Sequence, residues 1–115
     1  MARPGRWRRR HALEAWMELQ STARVSTPKA AIYMKQLCRH FGHKWEVAFT
    51  DVDGSVEFPY GRCTLKAEAD VLELAATAGD EESLERLQRV AAAHLVRFAF
   101  RDDLQIDWQR SSAGV

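Results

Sequence analysis

KWEVAFTDVDGSVEFPYG, residues 44–61, alternates apolar and polar side chains on both sides of a central DVDG. Trp45, Val47 and Phe49 fall on one side of a first segment, and Val56, Phe58 and Tyr60 on one side of a second. A period of two marks half-buried strands, because successive side chains in a strand point to opposite faces. Asp53-Gly54 between them reads as a tight hairpin turn, since the primed turns need positive φ. Two adjacent antiparallel strands are therefore expected. Asp51 and Asp53 could suggest calcium, but the later oxygen ligands and terminal Glu of an EF-hand loop are missing.

The flanking segments extend this hairpin into a sheet. RCTLKAEADVLELAATAG, residues 62–79, reads as two more strands, with Cys63, Leu65 and Ala67 sharing one face and Leu72, Leu74 and Ala76 the other strand's inner face. On the N-terminal side, Ala23, Val25 and Thr27 alternate with Thr22, Arg24 and Ser26, a further strand. LQIDWQR, residues 104–110, alternates Ile106 and Trp108 with Asp107 and Gln109 and supplies a final strand.

Two stretches switch to the helical period. In TPKAAIYMKQLCRHFG, residues 27–42, Ala30, Tyr33 or Met34, Leu37, Cys38 and Phe41 form one stripe. Thr27 is placed as the N-cap, Pro28 at the first helical position and Gly42 at a left-handed stop. In GDEESLERLQRVAAAHLVRFAF, residues 79–100, Leu84, Leu87, Ala91, Leu95 and Phe98 make the buried stripe. Asp80 caps this helix, and Glu81 and Glu82 sit where the dipole favours negative charge. The order β-α-β-β-β-β-α-β predicts a two-layer α+β fold, with one mainly antiparallel sheet of five or six strands and two helices on one face.

A length of 115 residues suits one domain with a modest core. Residues 1–16 hold five of the 17 basic side chains and one of the 16 acidic ones, so the remainder is mildly acidic. This basic segment is expected to be a disordered extension, residues 17–110 the single domain, and 111–115 a flexible tail. Nucleic-acid binding is not expected, because the body has no basic face to continue the arm. No apolar run reaches the roughly 20 residues of a membrane span, and no secretory signal is visible. Cys38 and Cys63 read as reduced thiols, so a cytoplasmic protein is expected.

Chemistry-bearing residues gather where the first helix ends. His40 and His43 are three apart, with Lys44 beside them. Zinc needs three or four ligands, and Gly42 interrupts the helical spacing, so no bound metal is expected. His94 borders the buried stripe of the second helix, as a core-edge residue, a ligand or a proton-transfer group. Cys63 follows Pro59 and Gly61, which can bend a strand and re-aim its side chains. The sequence holds no glycine-rich phosphate loop, nucleophile elbow, H-E-x-x-H or paired CxxC. Asp102, Asp103 and Asp107 read as a solvated loop.

Three segments, QLCRHFGHKWEV, VEFPYGRCTLKAEAD and HLVRFAFRDDLQIDWQR, resemble a bacterial family of small domains of unknown function, DUF2218. The residues carrying the likeness are His40, His43, Lys44, Phe58, Gly61, Cys63, His94, Phe98, Asp107 and Trp108. Such domains occur alone or appended to flavin-dependent siderophore-interacting proteins. The resemblance therefore implies a link to iron metabolism, with a siderophore-reductase-type protein as partner, and assigns no residue a role. The chain has no flavin- or nicotinamide-binding region, and no cofactor is expected.

Three functions follow as expectations. The first is a binding module in which His40, His43, Lys44, Tyr60 and Cys63 line a pocket beside Trp45 and Phe58. It would suit an anionic, partly apolar ligand such as a ferric catecholate siderophore. The second is a non-catalytic interaction or homodimerisation domain, given four tryptophans and five phenylalanines in a small chain. The third is an enzyme using His94 or His40 as general base with a cysteine nearby.

Overall fold

The computed structural model describes residues 19–111. The basic extension and most of the C-terminal tail lie outside these described residues. Six strands, β1 (Leu19–Ser26), β2 (Glu46–Phe49), β3 (Asp53–Phe58), β4 (Gly61–Ala67), β5 (Val71–Ala78) and β6 (Gln109–Ser111), form one sheet. Their order is β2-β3-β4-β5-β1-β6, and every neighbouring pair is antiparallel. Helix α1 (Ala30–Phe41) joins β1 to the far edge strand β2, and α2 (Glu81–Phe98) joins β5 to β6. Both helices cover the same face, so the fold is the two-layer α+β arrangement that the strand and helix periods predict.

The register explains the single core. Val25, Leu72, Ala67 and, one row on, Ala23, Leu74 and Leu65 stand in line across β1, β5 and β4. All six are buried on the helical side. Their chain neighbours Arg24, Glu73 and Lys66 occupy the open face, where Arg24 pairs with Glu73 at 2.9 Å and with Glu68 at 3.2 Å. Exposed ion pairs of this sort contribute little to stability. Apolar burial beneath the two helices dominates.

The buried stripe of α1 is the one its spacing predicts, and so is that of α2 except that Phe98 is only half-buried. Asp80 caps α2 by accepting from the Ser83 N–H at 2.7 Å. The start of α1 differs from expectation: the cap position is Lys29, not Thr27. Buried Thr27 instead accepts from the Lys29 N–H at 3.1 Å while its own N–H reaches the Asp70 carbonyl at 2.9 Å. It anchors the approach to the helix rather than the helix itself. Gly42 ends α1 in right-handed geometry, φ −66°, so no left-handed stop is needed. The last carbonyls are closed by a tight turn, in which Gly42 donates to Cys38 at 2.9 Å and Trp45 to Phe41 at 2.8 Å.

The α1 N-terminus is held from across the layer. The Tyr33 hydroxyl donates to the Asp102 carboxylate, and Lys29 Nζ lies 3.6 Å from the same group. Asp102 is thus a tether, not merely a solvated loop residue. The bond to Tyr33 and the charge of Lys29 hold its carboxyl below the ordinary range, while the same bond and burial push the Tyr33 phenol up to about 12. Two strand assignments also change. The last strand begins at Gln109; Ile106 and Trp108 precede it, half-buried against the core.

Asp53-Gly54 is not the β2–β3 turn. The turn lies at residues 50–52, where Thr50 Oγ1 accepts from the Val52 and Asp53 N–H groups at 3.2 and 3.1 Å. Gly54 is inside β3, buried, paired with Phe49 on one side and Leu65 on the other. Its φ is not positive: Gly61 is the one positive-φ glycine among the described residues. A Cβ at Gly54 would lie 2.6 Å from Cys38 Sγ. The glycine is there because α1 comes down onto β3 at that point. No helix among the described residues is long and apolar enough to cross a membrane.

Gly54→Ala is expected to destabilise the fold by about 1–3 kcal/mol in denaturant titration, the usual cost of overpacking a dense core. Most of the loss should disappear in a Cys38→Ala background. A loss that persists there would mean that Gly54 is needed for backbone conformation instead.

Candidate functional site

The two helices run antiparallel, since the α1 N-terminus sits at Asp102 beyond α2 while its C-terminus lies beside His94. This brings the end of α1, the turn after it, the β3–β4 corner and the middle of α2 around one cleft of about 430 Å³. The volume is in the range of small-molecule sites.

The floor is aromatic. Phe41, the last residue of α1, is buried and meets the Phe58 ring edge-on at a centroid distance of 5.1 Å and the His94 ring at 5.0 Å. Trp45 lies 4.8 Å from Phe58, and Phe58 lies 5.5 Å from Tyr60. Of these, Phe41, Trp45 and Tyr60 line the cleft, and Phe58 backs them.

The rim is basic. His40, His43 and Lys44 come from the α1 terminus and its turn, and Arg86 and His94 from α2. Among the described residues, no carboxylate lines the cleft. Two of the cations rest on its aromatic walls: Lys44 Nζ is 5.1 Å from the Trp45 ring centroid, and the Arg86 guanidinium is 4.3 Å from that of Tyr60. Such contacts hold each cation at the wall while leaving its N–H donors without a carboxylate partner.

The imidazoles of His40 and His94 are 4.7 Å apart, tilted by 40°. His94 Nδ1 lies 2.8 Å from the Val90 carbonyl, so it carries the proton that donates to that oxygen. When neutral, His94 therefore keeps its lone pair on Nε2. His40 is exposed at the rim, yet its partial desolvation against the neighbouring rings, and then the positive charges of His94, His43 and Arg97, hold it below the ordinary histidine range.

The sequence-based candidates separate cleanly in space. His40, His43, Lys44, Tyr60 and His94 share the cleft. Cys63 does not line it: its side chain is buried in β4 on the core face, level with Val56 and Ala76. The bend suggested by Pro59 and Gly61 leaves the strand pairing intact, because Gly61 pairs directly with Phe58. Gly61 instead permits a close approach, since a Cβ there would sit 2.5 Å from the Thr77 carbonyl. Among the described residues, no three His, Cys, Asp or Glu side chains are grouped to hold one metal ion. Arg86 is the residue that sequence reading missed. Arg86, Val90 and His94 recur every four positions, one stripe of α2 beside the core stripe, and this spacing is the signal that marks it.

A two-layer α+β domain with a basic, aromatic-floored cleft between its helices and one sheet corner is thus the class of protein defined here. The chain belongs to the DUF2218 family, described as an uncharacterized protein conserved in bacteria, which it matches over residues 22–109. Among solved structures it is similar to the NMR structure of PA4090 from Pseudomonas aeruginosa. The two share 39% identity over 84% of this chain and 99% of that one, with a TM-score of 0.70. No curated protein matches the chain.

Both thiols should be inert in the folded protein. Burial pushes Cys63 up to about 12 and Cys38 up to about 11. At about pH 8 an aromatic disulfide reagent should label neither until denaturant is added. Rapid labelling of Cys63 in the native state would place it on an accessible site.

Proposed function

We propose that this domain binds a small aromatic anion in the cleft between α1, α2 and the β3–β4 corner. The observation that carries the reading is the pairing of an aromatic floor with five basic side chains and, among the described residues, no carboxylate. Isolated surface cations usually find acidic neighbours; here the donors of Lys44 and Arg86 are collected around apolar rings. A ligand with a flat ring and negatively charged oxygens satisfies both features, because stacking rewards the ring and charge-assisted hydrogen bonds reward the oxygens.

Catecholates have this chemistry, and the cleft volume suits one catecholate unit. A ferric catecholate siderophore, presenting one of its arms, is the ligand toward which the family resemblance points. In that role the domain would be an accessory binding module in the cytoplasm. It would work beside a flavin-dependent siderophore-interacting reductase and supply no redox chemistry itself. Its part would be to hold the anionic complex.

Titration with a ferric catecholate siderophore should quench tryptophan fluorescence saturably, because Trp45 lines the cleft. The change should shrink in Trp45→Phe and the affinity should fall at least tenfold in Lys44→Ala/Arg86→Ala, a loss of about 1.4 kcal/mol or more. No saturable quenching at high micromolar ligand would refute the reading.

A further inference from the structure

The histidine pair gives the cleft a property beyond charge. Resting on the anion-binding reading above, we propose that the cleft is a proton-coupled receptor: an aromatic anion enters together with one proton, which the His40–His94 pair holds toward the ligand.

The geometry requires that the empty cleft disfavour a charged pair. The two rings are 4.7 Å apart and pack on Phe41 and Phe98, and the charged or titratable nitrogen groups that share the cleft with them are basic. His43 and Lys44 face them from the turn after α1, Arg86 from α2, and Arg97 bears on His40 from the same helix. Tyr60, from the β3–β4 corner, also lines the cleft and brings a hydroxyl and no carboxylate. With no carboxylate among the described residues lining the cleft to offset it, a proton on the pair faces the basic side chains of the rim.

An arriving anion reverses that balance. It supplies the missing negative charge at the point where the imidazoles converge. His94 is already locked through Nδ1–H to the Val90 carbonyl, so a second proton goes to Nε2. The ring then donates on both sides, with Val90 as one acceptor and an oxygen of the ligand as the other. No covalent bond changes; the proton comes from solvent and returns to it on release.

The sign of the pH effect follows. Because the anion stabilises the protonated pair, the bound state carries more protons than the free state. Affinity is then strongest in mildly acidic solution and is lost as pH rises through the histidine range. Contacts of the anion with Lys44 and Arg86 do not involve this proton and contribute separately from it.

The test uses the full chain and 2,3-dihydroxybenzoate, whose carboxylate is ionised throughout about pH 5.5–8.5. Calorimetric titration in two buffers of different ionisation enthalpy counts the protons taken up. Uptake approaching one proton near neutrality is expected, with affinity at about pH 6 roughly tenfold above that at about pH 8. His40→Gln and His94→Gln should each flatten this dependence, while His43→Gln should keep it. Arg86→Gln should weaken binding at every pH and retain the slope. Binding with no proton uptake, or uptake that survives both His40→Gln and His94→Gln, would overturn the proton coupling and leave anion binding standing. Absence of binding at every pH would instead overturn the anion-binding reading itself.

Discussion

The site depends on where Phe41 is buried. It is the last helical residue of α1, and its ring packs against Phe58 of β3 and His94 of α2 at once. Burying an aromatic ring of this size stabilises by a few kcal/mol, more than any exposed polar contact in the region can offset. With Phe41 seated, α1 ends. The chain turns through residues 42–45, and the N–H groups of that turn satisfy the carbonyls the helix leaves open. His40, His43 and Lys44 are then obliged to stand around the ring that anchors them, facing Arg86 and His94. A packing requirement produces the basic rim.

Helix packing imposes a second constraint at Gly54. Here α1 comes close enough to β3 that Cys38 Sγ occupies the space a side chain would need. The two contacts, Cys38 on Gly54 and Phe41 on Phe58, lie one helical turn apart on α1 and four residues apart on β3. Together they set the helix against the sheet. The residues that seem chemically reactive in the sequence, the two cysteines, are both core side chains, Cys38 at this contact and Cys63 in β4.

Much of the fold is legible in the sequence because it rests on periodicity, which is a local property. The stripes of α1 and α2, the alternation in β1, β4 and β5, and the Asp80 cap are all readable from spacing. What is not legible depends on partners distant in the chain. Asp53-Gly54 carries the composition of a turn, yet Thr50 makes the turn and a cysteine sixteen residues earlier claims the glycine. Thr27 has the chemistry of a helix cap but is drawn toward the Asp70 carbonyl. In the site, His40, His43 and Lys44 could be grouped because they are neighbours in sequence, whereas Arg86 joins them only through the antiparallel packing of the helices. Cys63 could have been set aside, since its alternation with Leu65 and Ala67 already places it in the core.

On the proposed function, an aromatic anion binds in the cleft and on no other surface. Amide chemical-shift mapping on the isotope-labelled chain tests it most directly, with 2,3-dihydroxybenzoate added to saturation. Shifts concentrated at residues 40–45, at Tyr60 and Gly61, and along Arg86, Val90 and His94 are expected. Shifts centred on the open face of the sheet, around Thr22, Ser55 and Thr64, with the cleft amides unmoved, would contradict it.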